Sequence, residues 1–501
     1  MKRIFLSLLL AVFLLCSCGK SEKPIDINFE KQEGEYYLFD DNPEYLRPEY
    51  RADGKIPSSI ACFDELGEGT YTVFSYHHRG TSAEIDEDLY FDFLFSSDDA
   101  VVEIENFCMD VNWQWHKAWA DYSGTEVTRP IYYKNASCNC GGGGEKHKSG
   151  CPAVCGGDVF EPTKAEELGV PMKVSGNLLL SDMLGRIKDD GLNKFRNTSK
   201  VDPVWLMMKF KVVSGTVSAA TVCYSDIGAA SENFDTMKKG SFFNEVQYKG
   251  IADCAPAADT EISYAFSDYS GAIPVRVKNM RAPEGYVSEN GRFATSINTW
   301  REEKPIAAES DMAELRYRDA SKADLYGENR SSDNVWHFDP FHTKLYGGES
   351  EEILEKYGAA VGADFEPNGA ISDLKHPGKK GSKEFYKYFA CNLGNFGFTY
   401  KFKLNLENST DRDRVFRFNI DSDAPEVYRF TQKDGDGNII YSDGGKYIAK
   451  KFDDEPKGEN PEFMSDDIKF SVPKNSTSTA EVEVVILTGC NAPVYYTFYS
   501  E

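Results

Sequence analysis

Five apolar side chains at every second position, Phe398, Tyr400, Phe402, Leu404 and Leu406, alternate with Thr399, Lys401, Lys403 and Asn405. A strand turns successive side chains to opposite faces, so this segment has one dry face and one wet face. Residues 407–414 then form a polar turn, and Phe416, Phe418 and Ile420 run back with the same period. The design recurs earlier: Leu89, Phe91, Phe93 and Phe95, a turn at 96–99, then Val102 and Ile104. Both segments read as hairpins. Further strands are expected at 427–430, 439–441, 468–472, 482–487 and 494–498. Half-polar strands at this spacing predict a mainly β protein of one or more antiparallel β-sandwich domains, with a few short helices and long irregular connections. The pattern allows two sandwiches or one built from both ends of the chain.

Helical spacing is rare. Trp115, Trp119 and Tyr122 fall on one side of a helix over 112–122, and shorter helices are expected at 165–169 and 178–188. Ser350 caps a helix over 350–360, with Glu351 and Glu352 in its first turn. Residues 134–157 are rich in Gly and Cys, and 275–385 are charged and poor in apolar clusters. These shifts divide the chain into a leader (1–17), a polar tether (18–33), a β-rich domain (34–274) with a Gly/Cys-rich insertion (134–157), an irregular connection (275–385) and a C-terminal β-sandwich (386–501).

The leader places the chain. Lys2 and Arg3 precede an apolar run from Ile4 to Leu15 broken only by Ser7, and Leu15-Cys16-Ser17-Cys18 has the form of a lipobox. The run is short for a bilayer span and has the flanks of a signal peptide. Cleavage before Cys18 and lipidation of Cys18 are expected, which anchor the protein in the cell envelope. Gly19, rather than Asp, after that cysteine points to the outer membrane. Loss of Lys2 and Arg3 with the leader takes the formal charge from −25 to −27. So acidic a chain repels nucleic acid at long range, and no nucleic-acid partner is expected. The expected partners are the membrane, through the lipid, and a glycan or a surface protein.

Of twelve cysteines, ten remain once Cys16 is removed and Cys18 is lipidated. Outside the cytoplasm an even number permits a disulfide framework. Cys138, Cys140, Cys151 and Cys155 crowd a glycine-rich stretch that also holds His147. Four thiolates, with His147 as a substitute, could chelate zinc. Their C-x-C…C-x3-C spacing is not that of a common zinc ribbon, and the favoured reading is a loop stapled by two cross-bridges. No cofactor is expected.

Asp434-Gly435-Asp436-Gly437-Asn438 has the opening of a calcium loop, but Ile439 stands where glycine is needed and Gly445 where a bidentate Glu is needed. A hairpin turn fits better. Trp115 and Trp119 read as core, whereas Trp113 and His116 are candidates for stacking on a sugar. His77 and His78 are adjacent on an expected strand, point to opposite faces and cannot simply share a metal. No HExxH, GxSxG, P-loop or GxGxxG occurs, and no catalytic residue is nominated.

Three segments, Asp41 to Leu46, Tyr71 to His78 with Gly80-Thr81, and Gly394 to Thr410, resemble a group of secreted bacterial surface proteins. Some of these carry a copper amine oxidase-like N-terminal domain. The resemblance implies that the Gly394-Asn395-Phe396-Gly397 start opens a β-sandwich-like segment in a non-catalytic envelope protein. The chain has no Asn-Tyr dipeptide to mature into a quinone and no cluster of copper-ligating histidines, so no active-site residue carries over. The lipobox, acidity and aromatic strands are similar in style to surface lipoproteins of gut Bacteroidetes. The reading is a lipid-anchored envelope protein with a binding or structural role. The alternatives are a glycan-binding or glycan-cleaving lipoprotein of a polysaccharide-uptake system and a fimbria-like assembly component.

Overall fold

A computed structural model describes residues 22–40, 45–46, 58–79, 89–110, 119–120, 122–128, 168–183, 194–195, 203–224, 231–232, 234–235, 249–252, 254–278, 287–288, 290–296, 396–422, 426–449, 464–487 and 494–501. The chain is mainly β, in five sheets. Four of them pair face to face into two sandwiches.

The first sandwich joins a seven-stranded sheet, built around Gly69–Arg79, Pro203–Ser214 and Val101–Asp110, to a five-stranded sheet built around Leu89–Ser97 and Val217–Tyr224. Phe91, Phe93 and Phe95 meet Val73, Met208, Phe210 and Ile104 in its core. The second joins an eight-stranded sheet to a five-stranded one. Thr399–Asn408, Ser476–Ile486 and Glu426–Asp434 lead the larger sheet, and Arg414–Ser422, Met464–Val472 and Val494–Ser500 the smaller. Phe402 is fully buried at its centre, with ring centroids 4.9 Å from Phe418 and 5.0 Å from Tyr496.

The two segments expected to be hairpins are not hairpins. Leu89–Ser97 and Val101–Asp110 belong to opposite sheets, as do Thr399–Asn408 and Arg414–Ser422. Each turn carries the chain across the sandwich, so the two alternating strands face each other through the core. Alternation records which side chains are dry but not whether the next strand lies beside or opposite. The strands expected at 427–430, 439–441, 468–472, 482–487 and 494–498 are all present.

The second sandwich also takes strands from elsewhere in the sequence. Ala257–Ala265 pairs in parallel with Thr399–Asn408 over nine residues. Gly271–Ala272 and Arg292–Ser296 both pair with Val494–Ser500. Residues 22–33, polar enough to be read as a tether, are built into the body. Ile25–Asn28 pairs in parallel with Val275–Lys278, and Glu30–Lys31 pairs with Ala257–Ala265. Ile25, Ile27 and Phe29 are buried in the second core, the last against Tyr400 and Phe402. The period of two is there, diluted by Asp26, Asn28 and Glu30 on the wet face. Asp26 bonds Lys278 at 2.7 Å and Arg276 at 2.9 Å, and these cations hold its carboxyl below the usual range.

The sandwiches meet at Phe396-Gly397-Phe398. Tyr37, Phe74, Tyr76 and Met207 on the outer face of the seven-stranded sheet join the second core there. The Tyr37 hydroxyl donates to the Phe396 carbonyl, and Phe74 and Phe396 rings lie 5.9 Å apart. Gly397 has φ +73°, and a Cβ on it would come within 2.8 Å of the Phe74 ring. Only glycine fits both demands.

Phe402→Ala should lower stability by about 3–5 kcal/mol, the cost of truncating a buried aromatic ring. Ile439→Ala, at a site 63% exposed, should change it by less than about 0.5 kcal/mol. Chemical denaturation of both variants checks the pair. Gly397→Ala should cost about 1–3 kcal/mol from its left-handed backbone alone, seen as a fall in unfolding temperature, and an unchanged midpoint would contradict the tight joint.

Candidate functional site

Among the described residues the densest buried polar group lies between the sheets of the first sandwich. Ser75 and His77 are two apart on Gly69–Arg79 and so share its inner face. Tyr36–Asp40 runs parallel beside that strand, with Asp40 in register with Ser75. Thr221 faces them from the opposite sheet. One oxygen, Asp40 Oδ2, accepts from Thr221 Oγ1 at 2.6 Å and Ser75 Oγ at 2.9 Å, with His77 Nε2 at 3.2 Å. Ser75 Oγ is also 3.0 Å from His77 Nε2, and the imidazole leans on the Phe91 ring at 5.4 Å. None of the four is more than 2% exposed.

The residue types are those of a hydrolytic triad, but the arrangement is different. A triad histidine takes the serine proton on one nitrogen and is oriented by the carboxylate through the other. Here the same Nε2 faces both Ser75 and Asp40, and Ser75 is itself a donor to the carboxylate. A nucleophile must also reach a carbonyl carbon, and Ser75 is sealed inside the core. What the geometry does is cross-link: a carboxylate from one sheet binds a hydroxyl from the other. Hydrogen bonds to a charged acceptor are each worth about 1.5–3 kcal/mol, and they count for more in an apolar core.

A second cluster lies on the outer face of the eight-stranded sheet. Arg429 makes two bonds to Glu483 Oε2, from Nε at 2.9 Å and Nη2 at 2.8 Å. The Tyr447 hydroxyl adds a third at 3.1 Å, and the guanidinium lies 4.8 Å from the Tyr447 ring centre. Burial, with Glu483 beside it, pushes the Tyr447 hydroxyl far above its ordinary range, so it stays protonated. Trp119 packs edge-on against Tyr447 at 5.9 Å and is 5% exposed. Val127–Thr128 then extends the sheet beside Tyr447–Ala449. Trp119 and Val127–Thr128, which follow the first sandwich's strand Val101–Asp110 in sequence, thus pack on the second sandwich.

Trp119 is a core residue, as its helical spacing suggests. Trp113, Trp115 and His116 lie outside the described residues, as do Cys18, Cys138, Cys140, His147, Cys151 and Cys155 and the expected helix at 350–360. The helix expected over 178–188 starts as strand Gly176–Leu179 and becomes helical at Leu180–Met183. Cys223 and Cys254 are buried. His77 turns inward, as a strand position requires. Asp434 to Asn438 form a hairpin turn: Asp434 Oδ1 accepts from the amides of Asp436 and Asn438. Those bonds, with the Asn438 side chain foremost, hold the Asp434 carboxyl below its usual range. Among the described residues no group of three or more His, Cys, Asp or Glu is placed to hold a metal, and no helix is long and apolar enough to cross a membrane.

The Asp40 cluster was missed in the sequence. Its signal was Ser75-x-His77 at inward positions that continue Tyr71 and Val73, two polar residues on a face that is otherwise dry. The partner carboxylate lies 35 residues upstream of Ser75, and only the sheet brings it in.

No family model matches this chain, and no curated protein matches it. Among solved structures, procruciferin, the 11S globulin of Brassica napus, aligns at 7% identity over 96% of this chain and 83% of its own, with a TM-score of 0.09. A score that low carries no argument.

Asp40→Ala should cost about 3–5 kcal/mol of stability, because it removes the buried charged acceptor on which three donors converge. Thr221→Val should cost about 1.5–3 kcal/mol, having lost one bond to a charged acceptor with little change of shape. Denaturant unfolding of the two variants tests this, and near-zero losses in both would show that the network contributes nothing.

Proposed function

We propose that the protein is a lipid-anchored component of the cell envelope, probed best as a binding or structural protein without chemistry of its own. The observation that carries this is the leader: Lys2-Arg3, the apolar run to Leu15, and Leu15-Cys16-Ser17-Cys18. The fold supports it in one respect. Its one buried Ser–His–Asp grouping among the described residues is oriented and sealed as a cross-link. The partner at the anchor is the membrane, and the outer membrane is favoured by Gly19.

A glycan-binding role is the second reading. Its motive is the tryptophan group at 113–119 together with the abundant carboxylates; Trp119 itself is taken up by packing against Tyr447. Trp113 and His116 are then the residues to test. The Trp113→Ala and His116→Ala variants should lose tryptophan quenching by a bound oligosaccharide if they form a sugar platform. Flat titrations of the parent protein across a broad polysaccharide panel would remove this reading.

Intact mass of the protein extracted from membranes tests the anchor. The expected mass is that of a chain starting at Cys18 with attached acyl chains, and Cys18→Ala should abolish both the lipid and membrane retention. An unmodified N-terminus in the membrane fraction would refute it.

A further inference from the structure

Glu22, four positions after Cys18, is fastened to one particular end of the second sandwich. Glu22 accepts from the Tyr264 hydroxyl at 3.2 Å and the Ser267 hydroxyl at 3.0 Å, just beyond the C-terminal end of Ala257–Ala265. From there the chain runs antiparallel to that strand until the Gln32 amide meets the Ala257 carbonyl at its other end. Eight strand steps cover about 26 Å. Residues 22–32 therefore climb the full height of the sandwich before entering the first one.

The register of the sheets shows what else lies at the Glu22 end. Thr399–Asn408 is parallel to Ala257–Ala265, so Asn408 is there, opposite Ser476. Asp434 is there too, opposite Ser478. The loops 266–270, 409–413, 435–438 and 473–475, with Glu501 beside Val415, form this end. At the opposite end stand Ala257, Thr399 and Phe396, the last against Tyr37, Phe74 and Tyr76 of the first sandwich.

Cys18 is four residue steps from Glu22, at most about 14 Å of fully extended chain. We infer that the Glu22 end of the second sandwich faces a phospholipid bilayer at close range, while the first sandwich stands on its far side as the outward-facing module. This rests on the lipid-anchored reading. The sequence order is thereby inverted in space: the C-terminal sandwich is proximal and the N-terminal sandwich distal. The proximal end does not bind the lipid electrostatically. Glu22, Asp268, Asp411, Asp413, Asp434 and Asp436 outnumber Lys23, Arg412, Lys433 and Lys474 there, and Glu501 is paired with Arg417 and Lys469, so this end offers no excess of positive charge to anionic headgroups. The short link alone holds it near. A partner of the envelope would meet the first sandwich first.

The test uses full-length lipidated protein in phosphatidylcholine vesicles that carry an acceptor dye on a headgroup. Donor dyes are introduced through a non-natural residue at exposed Asp411, Asp436 or Asp98, the last in the turn between the two sheets of the first sandwich. Energy transfer should be severalfold stronger from 411 and 436 than from 98. A Gly/Ser insertion of about 20 residues after Ser21, with a root-mean-square length of about 25 Å, should weaken transfer from 411 and 436 and shrink the contrast. Equal or reversed transfer, in protein whose mass shows the lipid on Cys18, would overturn the orientation and leave the anchor standing. Absence of the lipid from that mass would overturn the anchoring reading, and the orientation with it.

Discussion

The parallel pairing of Ala257–Ala265 with Thr399–Asn408 is the contact on which the second sandwich depends. It seats an early segment beside the most strongly alternating strand of the chain and puts Ile262 and Tyr264 into the same core as Phe402 and Leu404. Parallel neighbours cannot be joined by a tight turn, and a long crossover must connect them. The charged stretch between residues 266 and 398 includes that crossover. The register is marked on the wet face: Lys403 bonds Asp259 at 2.5 Å and Asn405 bonds Glu261 at 2.7 Å. The Asp259 bond raises the Lys403 ammonium above its ordinary value. Such half-exposed pairs add little stability each. They do penalise a slip by one residue, which would carry Phe402 and Leu404 to the wet side.

Once that pair is fixed, the other attachments follow. Glu30–Lys31 adds to the free edge of Ala257–Ala265, and Ile25–Asn28 covers Val275–Lys278. The chain then passes directly to Tyr37, which meets Phe396 just before Thr399–Asn408 begins. The joint between sandwiches is thus made by residues immediately flanking the paired strands. Trp119 on Tyr447 gives a second, separate link. Two independent contacts between the same two bodies resist rotation in a way one cannot.

Within the first sandwich the Asp40 carboxylate plays a role different from that of the aromatic contacts. Phe91, Phe95 and Phe210 supply burial, which is strong but poorly directional. Asp40 supplies direction: three donors from two strands, one in each sheet, converge on one oxygen. A slip of either sheet would leave a charge and several donors unpaired in an apolar interior, which is costly. The same chemistry in an open cleft would invite comparison with a hydrolase, so burial decides its meaning here.

The sequence by itself determined the class of the fold and the dry faces of its strands, because a period of two is a local property of successive residues. It determined that Trp119 packs in the core and that Asp434 to Asn438 turn, since both rest on short-range spacing. It did not determine which strands are neighbours. The turns at 96–99 and 407–414 cross between sheets, and alternation is the same for a crossing as for a hairpin. Nor did it reveal that Ile25, Ile27 and Phe29 are core residues, since three apolar side chains among charges acquire a dry face only when Ala257–Ala265 supplies it. Ser75 and His77 marked a polar spot on a dry face, but their partners Asp40 and Thr221 were hidden for the same reason. The cluster's members span 181 positions between Asp40 and Thr221, and only tertiary structure brings a carboxylate and its donors within reach in a medium where leaving them apart would cost so much.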